Sequence, residues 1–280
     1  MIVVLGADGM LGRAFRQFYG SRAIYMTRND CDFTDCNRLY ELLNSIGCSV
    51  VINCAAIIDF NYIERFEKKS FEVNSLLPYH ISQYCADGNV KCVHISTDHF
   101  YKDNMDIHSE SSPVTLVNQY AEQKFVAERL VLNACPKSLV VRASLLGYKN
   151  LDGTTLLEWI LKTLKYKKSI CGFYDSITSS VDVAELCVQI DKAISQDLSG
   201  IYNIGTKLPY SKYDLIEAVI LELGLTDILL KKKSVDSLAV SRANNCGLDI
   251  SKFTKDSLSD LPTLGQVIKN LNLEEAYNDI

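Results

Sequence analysis

Residues 1–12 read MIVVLGADGMLG, and this stretch decides the fold. The apolar run Ile2–Leu5 leads directly into glycines spaced G-x-x-G-x-x-G, followed by a helical pattern. A buried strand, a glycine turn and a helix in this order are typical of a dinucleotide-binding βα unit. The glycines let the backbone approach a pyrophosphate, and the helix N-terminus offers it free N–H groups. The alternative is a tight turn without a ligand. The predicted nucleotide-binding residues are Gly6, Gly9, Met10, Leu11 and Gly12.

Downstream of this turn, short apolar runs alternate with helical patterns up to about residue 145. Such runs predict parallel strands that are buried on both faces. The predicted fold class is therefore α/β, a Rossmann-type doubly wound parallel sheet with a smaller discontinuous substrate lobe. We expect the NAD(P)-binding Rossmann domain to comprise residues 1–145 plus 182–208. The substrate-binding lobe would comprise residues 146–181 plus 209–280.

Composition excludes several classes of protein. The 280 residues are 48% hydrophobic, and 29 basic against 34 acidic residues give a net charge of −5. A mildly acidic chain argues against a nucleic-acid or membrane-surface binder. No apolar run reaches the roughly 18 residues of a membrane span, and no signal peptide is recognisable, so we expect a cytoplasmic protein. Ten cysteines without metal-ligand spacing predict buried reduced thiols and no metal site. A homodimer is one option for the oligomeric state.

The end of the second predicted strand bears on the choice of cofactor. Residues 27–30 read TRND, so the first charged side chain there is Arg28. An acidic residue at this strand end usually binds the ribose of a cofactor that lacks a 2′-phosphate. A guanidinium at the same place can pair with the 2′-phosphate of NADPH. Arg28 therefore favours NADPH over NADH, the alternative being a solvated surface arginine.

Tyr120 and Lys124 form a Y-x-x-x-K pair on a predicted helix, where residues four apart share one face. Such a lysine holds a cofactor ribose, and its charge favours the phenolate form of the tyrosine. The tyrosine can then exchange a proton with a carbonyl group while a nicotinamide exchanges hydride. Ser96 and Thr97 end the preceding strand, where hydroxyls face the ligand crevice, and His99 is a further candidate substrate contact. The alternative is that Tyr120 and Lys124 lie on an ordinary amphipathic helix and have no catalytic role.

Together these motifs resemble the extended short-chain dehydrogenase/reductases, and within them the dTDP-4-dehydrorhamnose reductases. The resemblance covers most of the chain and is strongest over residues 1–145. The motifs that carry it are the glycine turn at 6–12, DFTD at 32–35, NCAA at 53–56, VN at 73–74, STD at 96–98, NQYAEQK at 118–124 with Glu128, RAS at 142–144 and SRANNCGLD at 241–249.

The resemblance implies roles for particular residues. Asp32 and Phe33 would flank the adenine, and Thr97, Tyr120 and Lys124 would be catalytic. Arg242 would anchor the diphosphate of the substrate, with the lysines at 162–168 as the next candidates. The other cofactor contacts implied are Cys54, Ala55, Ala56 and Asn74.

The implied activity is NAD(P)H-dependent reduction of a keto group, most simply at C4, on a nucleotide-linked deoxysugar. Two alternatives are an epimerase or dehydratase that retains its NAD, and a non-catalytic nucleotide-binding regulatory subunit on the same fold. The chain departs from the family pattern at Gln123, where a hydroxyl residue is usual, and at Leu145, where an aromatic residue is expected.

Overall fold

The computed structural model of this chain describes residues 1–102, 107–152, 154–237 and 243–280. The chain divides into two compact units. Unit 1 comprises Met1–Thr97, Asn118–Arg142 and Cys187–Tyr202, and unit 2 comprises Asp98–Val117, Ala143–Leu186 and Asn203–Ile280. Within the described ranges, no helix combines the length and the apolar character needed to cross a membrane.

Strands and helices alternate through the first half of the chain, and the predicted α/β class is confirmed. The strands are β1 (Ile2–Leu5), β2 (Ala23–Met26), β3 (Val50–Asn53), β4 (Lys91–Ile95), β5 (Leu139–Arg142), β6 (Leu145–Leu146), β7 (Ser169–Phe173), β8 (Ile177–Thr178), β9 (Val181–Asp182), β10 (Gly200–Asn203), β11 (Tyr210–Ser211), β12 (Leu229–Lys233) and β13 (Asn245–Cys246). The helices are α1 (Met10–Tyr19), α2 (Cys36–Ile46), α3 (Phe60–Arg65), α4 (Glu67–Phe71), α5 (Leu77–Gly88), α6 (Gln119–Ala134), α7 (Leu156–Tyr166), α8 (Val183–Ser195), α9 (Lys212–Glu222), α10 (Ser251–Ser257), α11 (Leu264–Asn270) and α12 (Leu273–Asp279).

The main sheet has six strands in the order β10-β5-β4-β3-β1-β2. β1 pairs in parallel with β2 and β3, β3 with β4, and β4 with β5. Leu5 lies opposite Asn53, and Asn53 lies opposite His94. The carboxyl ends of β1, β3 and β4 therefore lie side by side, where an open α/β sheet binds its ligands.

The sequence pattern over residues 71–86 predicts one long helix, but the structure divides this segment. A π-helix, Glu72–Leu76, separates α4 from α5, and Pro78 stands in the first turn of α5. Proline lacks the amide hydrogen that would bond to the carbonyl group of Asn74, so a regular α-helix cannot run through this point. A wider π-turn is the result, and such turns often occur at functional sites.

All ten cysteines lie in the described part of the chain, and none forms a disulfide there. The prediction that they are buried is wrong for Cys171, which is exposed, and holds only in part for Cys36 and Cys54, which are half-buried. Among the strands that the structure describes, β7 pairs with β12 alone, and its residues alternate between exposed and buried. Because side chains of a strand alternate between the two faces, Cys171 falls on the solvent face.

Unit 2 contains three small sheets and its own apolar core. β8 lies between β11 and β13, β7 pairs with β12, and β6 pairs with β9. Helices α7, α9 and α11 bury one face each around a common cluster, of which Ile160, Leu161, Leu215 and Val267 are fully buried members. The amphipathic pattern of these helices explains this arrangement, since each turns its apolar stripe toward the cluster.

The loop before α7 is organised by one carboxylate. Glu158 Oε1 accepts the backbone N–H groups of Lys149, Asn150 and Leu151 at 2.5–3.0 Å, and Oε2 accepts those of Thr154 and Thr155. Burial alone would raise the pKa of this carboxyl, but the backbone hydrogen bonds lower it to about 2 from an ordinary 4.5. The charged form of Glu158 therefore stabilises the loop.

We predict that Glu158→Gln lowers the free energy of unfolding at neutral pH by about 1–3 kcal/mol, because the new amide hydrogens face backbone donors. The folded pKa lies below the unfolded one, so the contribution is complete above about pH 4.5 and disappears as the pH falls towards 2. Denaturant unfolding at several pH values measures the difference between wild type and variant, which should shrink over this window. Glu217→Gln, an exposed change on α9, is the control. A difference that is independent of pH contradicts the prediction.

Candidate active site

The glycine turn between β1 and α1 brings two backbone segments into close contact. Gly6 has φ +81°, and a Cβ atom there would stand 2.7 Å from the Ala55 nitrogen. A Cβ atom on Gly12 would stand 2.4 Å from the Gly6 carbonyl oxygen. Only glycine fits these positions without shifting the backbone, since real Cβ contacts are longer.

The N-terminus of α1 has the electrostatic character that a diphosphate needs. Its N-cap is Gly9, which has no side chain to cap the first amides, and the first turn contains no acidic residue. The amides around Met10 and Leu11 therefore keep the positive end of the helix dipole uncompensated. A dinucleotide pyrophosphate fits this turn, as the sequence predicts.

The segment that follows β3 is held in place by Asn74. The side-chain oxygen of Asn74 accepts the Ile57 N–H at 2.8 Å, and its amide donates to the Ile57 carbonyl at 2.9 Å. A second amide hydrogen goes to Gln123 Oε1 at 2.9 Å. Asn74 is fully buried and thereby fixes the chain at 54–57, where Cys54 and Ala55 are half-buried and Ala56 is exposed. Direct contact of these four residues with a cofactor stays a prediction.

The turn after β2 presents Arg28 to solvent. The Asp30 carboxylate accepts the Thr27 N–H and the Thr27 hydroxyl, both at 2.8 Å, which closes the turn. These hydrogen bonds lower the pKa of Asp30. Arg28 is exposed at this turn.

The two residues predicted to flank the adenine have structural contacts in unit 1. The Asp32 carboxylate accepts the N–H and hydroxyl of Thr34 at 3.0 and 2.7 Å. Phe33 is 7% exposed and belongs to the buried apolar cluster of unit 1. Its ring thus contributes to the core, and its contact with adenine stays a prediction.

Helix α6 carries the Tyr120–Lys124 pair. Asn118 caps its N-terminus by accepting the Ala121 N–H at 2.9 Å. The Tyr120 ring packs edge-on against Phe60, with 5.4 Å between the ring centroids. Phe60 is the first residue of α3. Sequence reasoning did not identify it, because the sequence around a helix start does not show which distant side chain an aromatic residue will contact.

Lys124 is 1% exposed, which is unusual for lysine. Its Nζ donates to the Ile95 carbonyl at 2.8 Å and lies 3.3 Å from His94 Nε2. Burial lowers the pKa of Lys124 to about 8, while Glu128 and Cys54 act in the opposite direction. The amine can therefore change charge close to neutral pH, which is common at functional sites.

Ser96 has a different partner from the one predicted. Its hydroxyl donates to Glu128 Oε1 at 2.6 Å. Glu128 in turn accepts two hydrogen bonds from the Arg142 guanidinium, at 2.9 and 2.7 Å, and all three side chains are buried. Ser96 thus gives its hydroxyl hydrogen to an internal ion pair. Thr97, 6% exposed, is the neighbouring hydroxyl at the end of this strand.

Gln123 is a second residue that sequence reasoning treated only as a departure from the family pattern. Its Nε2 donates to Ser70 Oγ at 2.8 Å, and its Oε1 accepts from Asn74. Its backbone carbonyl accepts the Ser75 hydroxyl at 2.8 Å. Gln123 therefore fastens α6 to the π-helix and to α4, which places the Tyr120–Lys124 face.

Three predicted substrate contacts belong to unit 2. His99 Nε2 accepts the Ala243 N–H at 3.3 Å. Arg242 lies outside the described residues. In the lysine run, Lys165 donates to the carbonyl oxygens of Tyr277 and Asn278, and Lys168 pairs with Asp227. A cation at the C-terminal carbonyls of α12 complements the helix dipole, so Lys165 has a structural role. Contact of the lysine run with the substrate stays a prediction.

The sheet defines the class: an α/β protein with a Rossmann-type parallel sheet. A family model described as "RmlD substrate binding domain" matches residues 1–274, and the chain belongs to this family. The resemblance to dTDP-4-dehydrorhamnose reductases is thereby confirmed.

Individual relatives match along nearly the whole chain. A probable low-salt glycan biosynthesis reductase of Haloferax volcanii is 24% identical, with 99% of this chain and 98% of the relative aligned. A dTDP-4-dehydrorhamnose reductase of Aggregatibacter actinomycetemcomitans is 25% identical over 90% of this chain and 91% of its own. The crystal structure of a dTDP-4-dehydrorhamnose reductase of Bacillus anthracis in complex with NADP has the same fold, with a TM-score of 0.90, 20% identity and 98% of both chains covered.

The Glu128–Arg142 pair should be a main support of the site. Glu128→Gln leaves a buried guanidinium without its counter-charge, so we expect a loss of about 3–5 kcal/mol in the free energy of unfolding. Ser96→Ala removes one hydrogen bond and should lose about 0.5–1.5 kcal/mol. Denaturant unfolding measures both, with exposed Glu122→Gln on the same helix as control. A Glu128→Gln protein as stable as the control contradicts this account of the pair.

Proposed function

We propose that the protein reduces a keto group, assigned to C4, on a nucleotide-linked deoxysugar, with NADPH as the cofactor and NADH as the alternative. The observation that carries the proposal is the Tyr120–Lys124 pair at the carboxyl end of β4, with the lysine amine buried against the Ile95 carbonyl. The family and the reductases among its relatives support the same chemistry.

The site residues of unit 1 have distinct tasks in this proposal, and Lys124 has two, because it also tunes Tyr120. A bound NADPH supplies the hydride that adds to the carbonyl carbon. The turn at Gly6 and Gly9 holds the pyrophosphate, and Lys124 holds the ribose next to the nicotinamide. Tyr120 donates its hydroxyl proton to the carbonyl oxygen as negative charge develops there. Thr97 donates a hydrogen bond to the same oxygen, and the product is the alcohol.

Net consumption of reduced cofactor tests the proposal. A reductase oxidises one NADPH for each keto sugar, whereas an epimerase or dehydratase that retains NAD returns the hydride to the sugar. A regulatory subunit binds the nucleotide and turns nothing over. Absorbance of the reduced nicotinamide with a nucleotide-linked 4-keto-deoxysugar distinguishes the three, and the reductase outcome is the expected one.

The cytoplasm is the proposed location, since nucleotide sugars and NADPH are cytoplasmic metabolites and ten cysteines outside disulfides suit a reducing compartment. The homodimer stays a prediction. Light scattering should give about twice the 31.4 kDa of the chain if it forms.

Substitutions at the three proposed catalytic residues should give three different kinetic patterns. Tyr120→Phe removes the proton donor and keeps the ring, so kcat should fall by about 10²–10⁴-fold with little change in NADPH affinity. Lys124→Met should lose both rate and cofactor affinity. Thr97→Val should lose rate less severely, because it removes a hydrogen bond and leaves the proton source. Steady-state kinetics and NADPH titration provide the measurements. Near wild-type turnover in Tyr120→Phe would show that another group is the acid.

Arg28 should discriminate between the two nicotinamide cofactors. A well-formed guanidinium–phosphate contact contributes about 1.5–3 kcal/mol, so Arg28→Ala should weaken NADPH binding roughly ten- to hundredfold and leave NADH binding unchanged. Fluorescence titration of each cofactor measures the effect. Arg38→Ala, which breaks only an exposed pair with Glu41 on α2, is the matched control. Equal effects on both cofactors would place the 2′-phosphate elsewhere.

A further inference from the structure

A row of buried polar side chains runs from β3 across β4 to α6. Asn53 and His94 are opposite residues of the paired strands, and Lys124 lies beyond them. Asn53 Nδ2 is 3.4 Å from His94 Nδ1, and His94 Nε2 is 3.3 Å from Lys124 Nζ. Each of the three side chains is 1% exposed. Polar groups in such a setting need defined donors and acceptors.

The backbone determines how the Asn53 amide is oriented. The Ala55 N–H donates to Asn53 Oδ1 at 3.1 Å, so the oxygen of this amide faces Ala55 and its NH₂ group faces His94. A donor that faces Nδ1 requires Nδ1 to be the acceptor. His94 is neutral, because its burial holds its pKa well below the ordinary value. The single imidazole proton must then be on Nε2.

The Nε2–H of His94 points to the Lys124 amine, and this contact constrains the lysine. An ammonium group has only donors, whereas a neutral amine has one lone pair that can accept. A neutral Lys124 satisfies both neighbours, accepting from His94 and donating to the Ile95 carbonyl. The titratable groups that act on Lys124 from the packed elements are Glu128 on its own helix, Cys54 after β3 and His94 on β4.

We propose that Asn53 and His94 are positioning residues for Lys124: Asn53 selects the Nε2–H tautomer of His94, and that N–H stabilises the neutral form of the lysine amine beside the Ile95 carbonyl relative to its ammonium form. Protonation of Lys124 uses the lone pair, breaks the contact with His94 and provides the ammonium group for the ribose and Tyr120. The role of Lys124 in these steps rests on the proposed function. The assignment of the His94 tautomer does not depend on that function.

Nitrogen NMR of the ¹⁵N-histidine-labelled full chain tests the tautomer without any turnover. Two other histidines serve as internal references for the Nδ1–H form. The Ala243 N–H donates to His99 Nε2, and His108 Nδ1 donates to the Gly247 carbonyl oxygen at 3.1 Å. We expect His94, assigned by loss of its signals in His94→Gln, to show the opposite, Nε2–H pattern. An Nδ1–H pattern for His94 in the wild-type protein overturns the proposal.

Asn53→Asp is the sharpest variant, because it is isosteric and exchanges only the donor for an acceptor. The carboxylate can still accept the Ala55 N–H, and its other oxygen now accepts a hydrogen bond from an Nδ1–H group, so His94 should change to the Nδ1–H form. Its Nε2 atom then accepts from an ammonium group, and the charged form of Lys124 is favoured. An unchanged His94 tautomer in this variant also overturns the proposal.

The pH dependence of NADPH binding reports the effect on Lys124. In the wild-type protein, affinity should fall as the pH rises through about 8, and in Asn53→Asp this midpoint should rise. We expect a rise of about one pH unit, a tenfold change in the ratio of charged to neutral lysine. In a His94→Gln background the same Asn53→Asp change should give a smaller rise, which separates the tautomer from the direct effect of the new charge. Equal rises in both backgrounds contradict coupling through His94.

The two proposals fail in different ways. If the His94 tautomer and the shifted binding profile appear but no keto sugar is reduced, the assignment of Asn53 and His94 stands and the proposed reaction is wrong. If reduction occurs while wild-type His94 has the Nδ1–H form, the reaction stands and the assignment is wrong.

Discussion

The parallel register of β1, β3 and β4 is the constraint on which the site in unit 1 depends. Because Leu5, Asn53 and His94 lie opposite one another, the three following segments leave the sheet side by side. The segment after β1 is the glycine turn, and the segment after β3 is hydrogen-bonded to the Asn74 side chain. The segment after β4 contains Thr97. A slip of one residue in any pair would turn every side chain of the shifted strand to the other face of the sheet and separate these groups.

Helix α6 carries two of the proposed catalytic residues and packs at this edge of the sheet. Tyr120, Lys124 and Glu128 are four residues apart and share one face of the helix. The Phe60 ring packs on Tyr120, and the Ile95 carbonyl accepts a hydrogen bond from Lys124. The Arg142 guanidinium forms an ion pair with Glu128. Such buried charges are tolerated only with partners, so the same contacts that satisfy them also fix the helix.

Local sequence patterns were sufficient for the fold class and for the placement of Tyr120 and Lys124 on one helix. Apolar runs and helical spacing are local properties, and so is a separation of four residues on a helix. Partners distant in sequence were not predictable in this way. The donation of Ser96 to Glu128, the bridge of Gln123 to Ser70 and Asn74, and the burial of Phe33 in the core all depend on tertiary packing. The exposure of Cys171 likewise follows from which strand pairs with β7.

The most direct test of the central claim follows the hydride itself. The purified protein is mixed with a nucleotide-linked 4-keto-deoxysugar and NADPH that carries deuterium at the transferable C4 position of the nicotinamide, and the products are examined by mass spectrometry and NMR. The reductase account predicts one deuterium on the former carbonyl carbon of the sugar and one oxidised cofactor for each sugar reduced. A sugar product without deuterium, or cofactor that binds but is never oxidised, would contradict it.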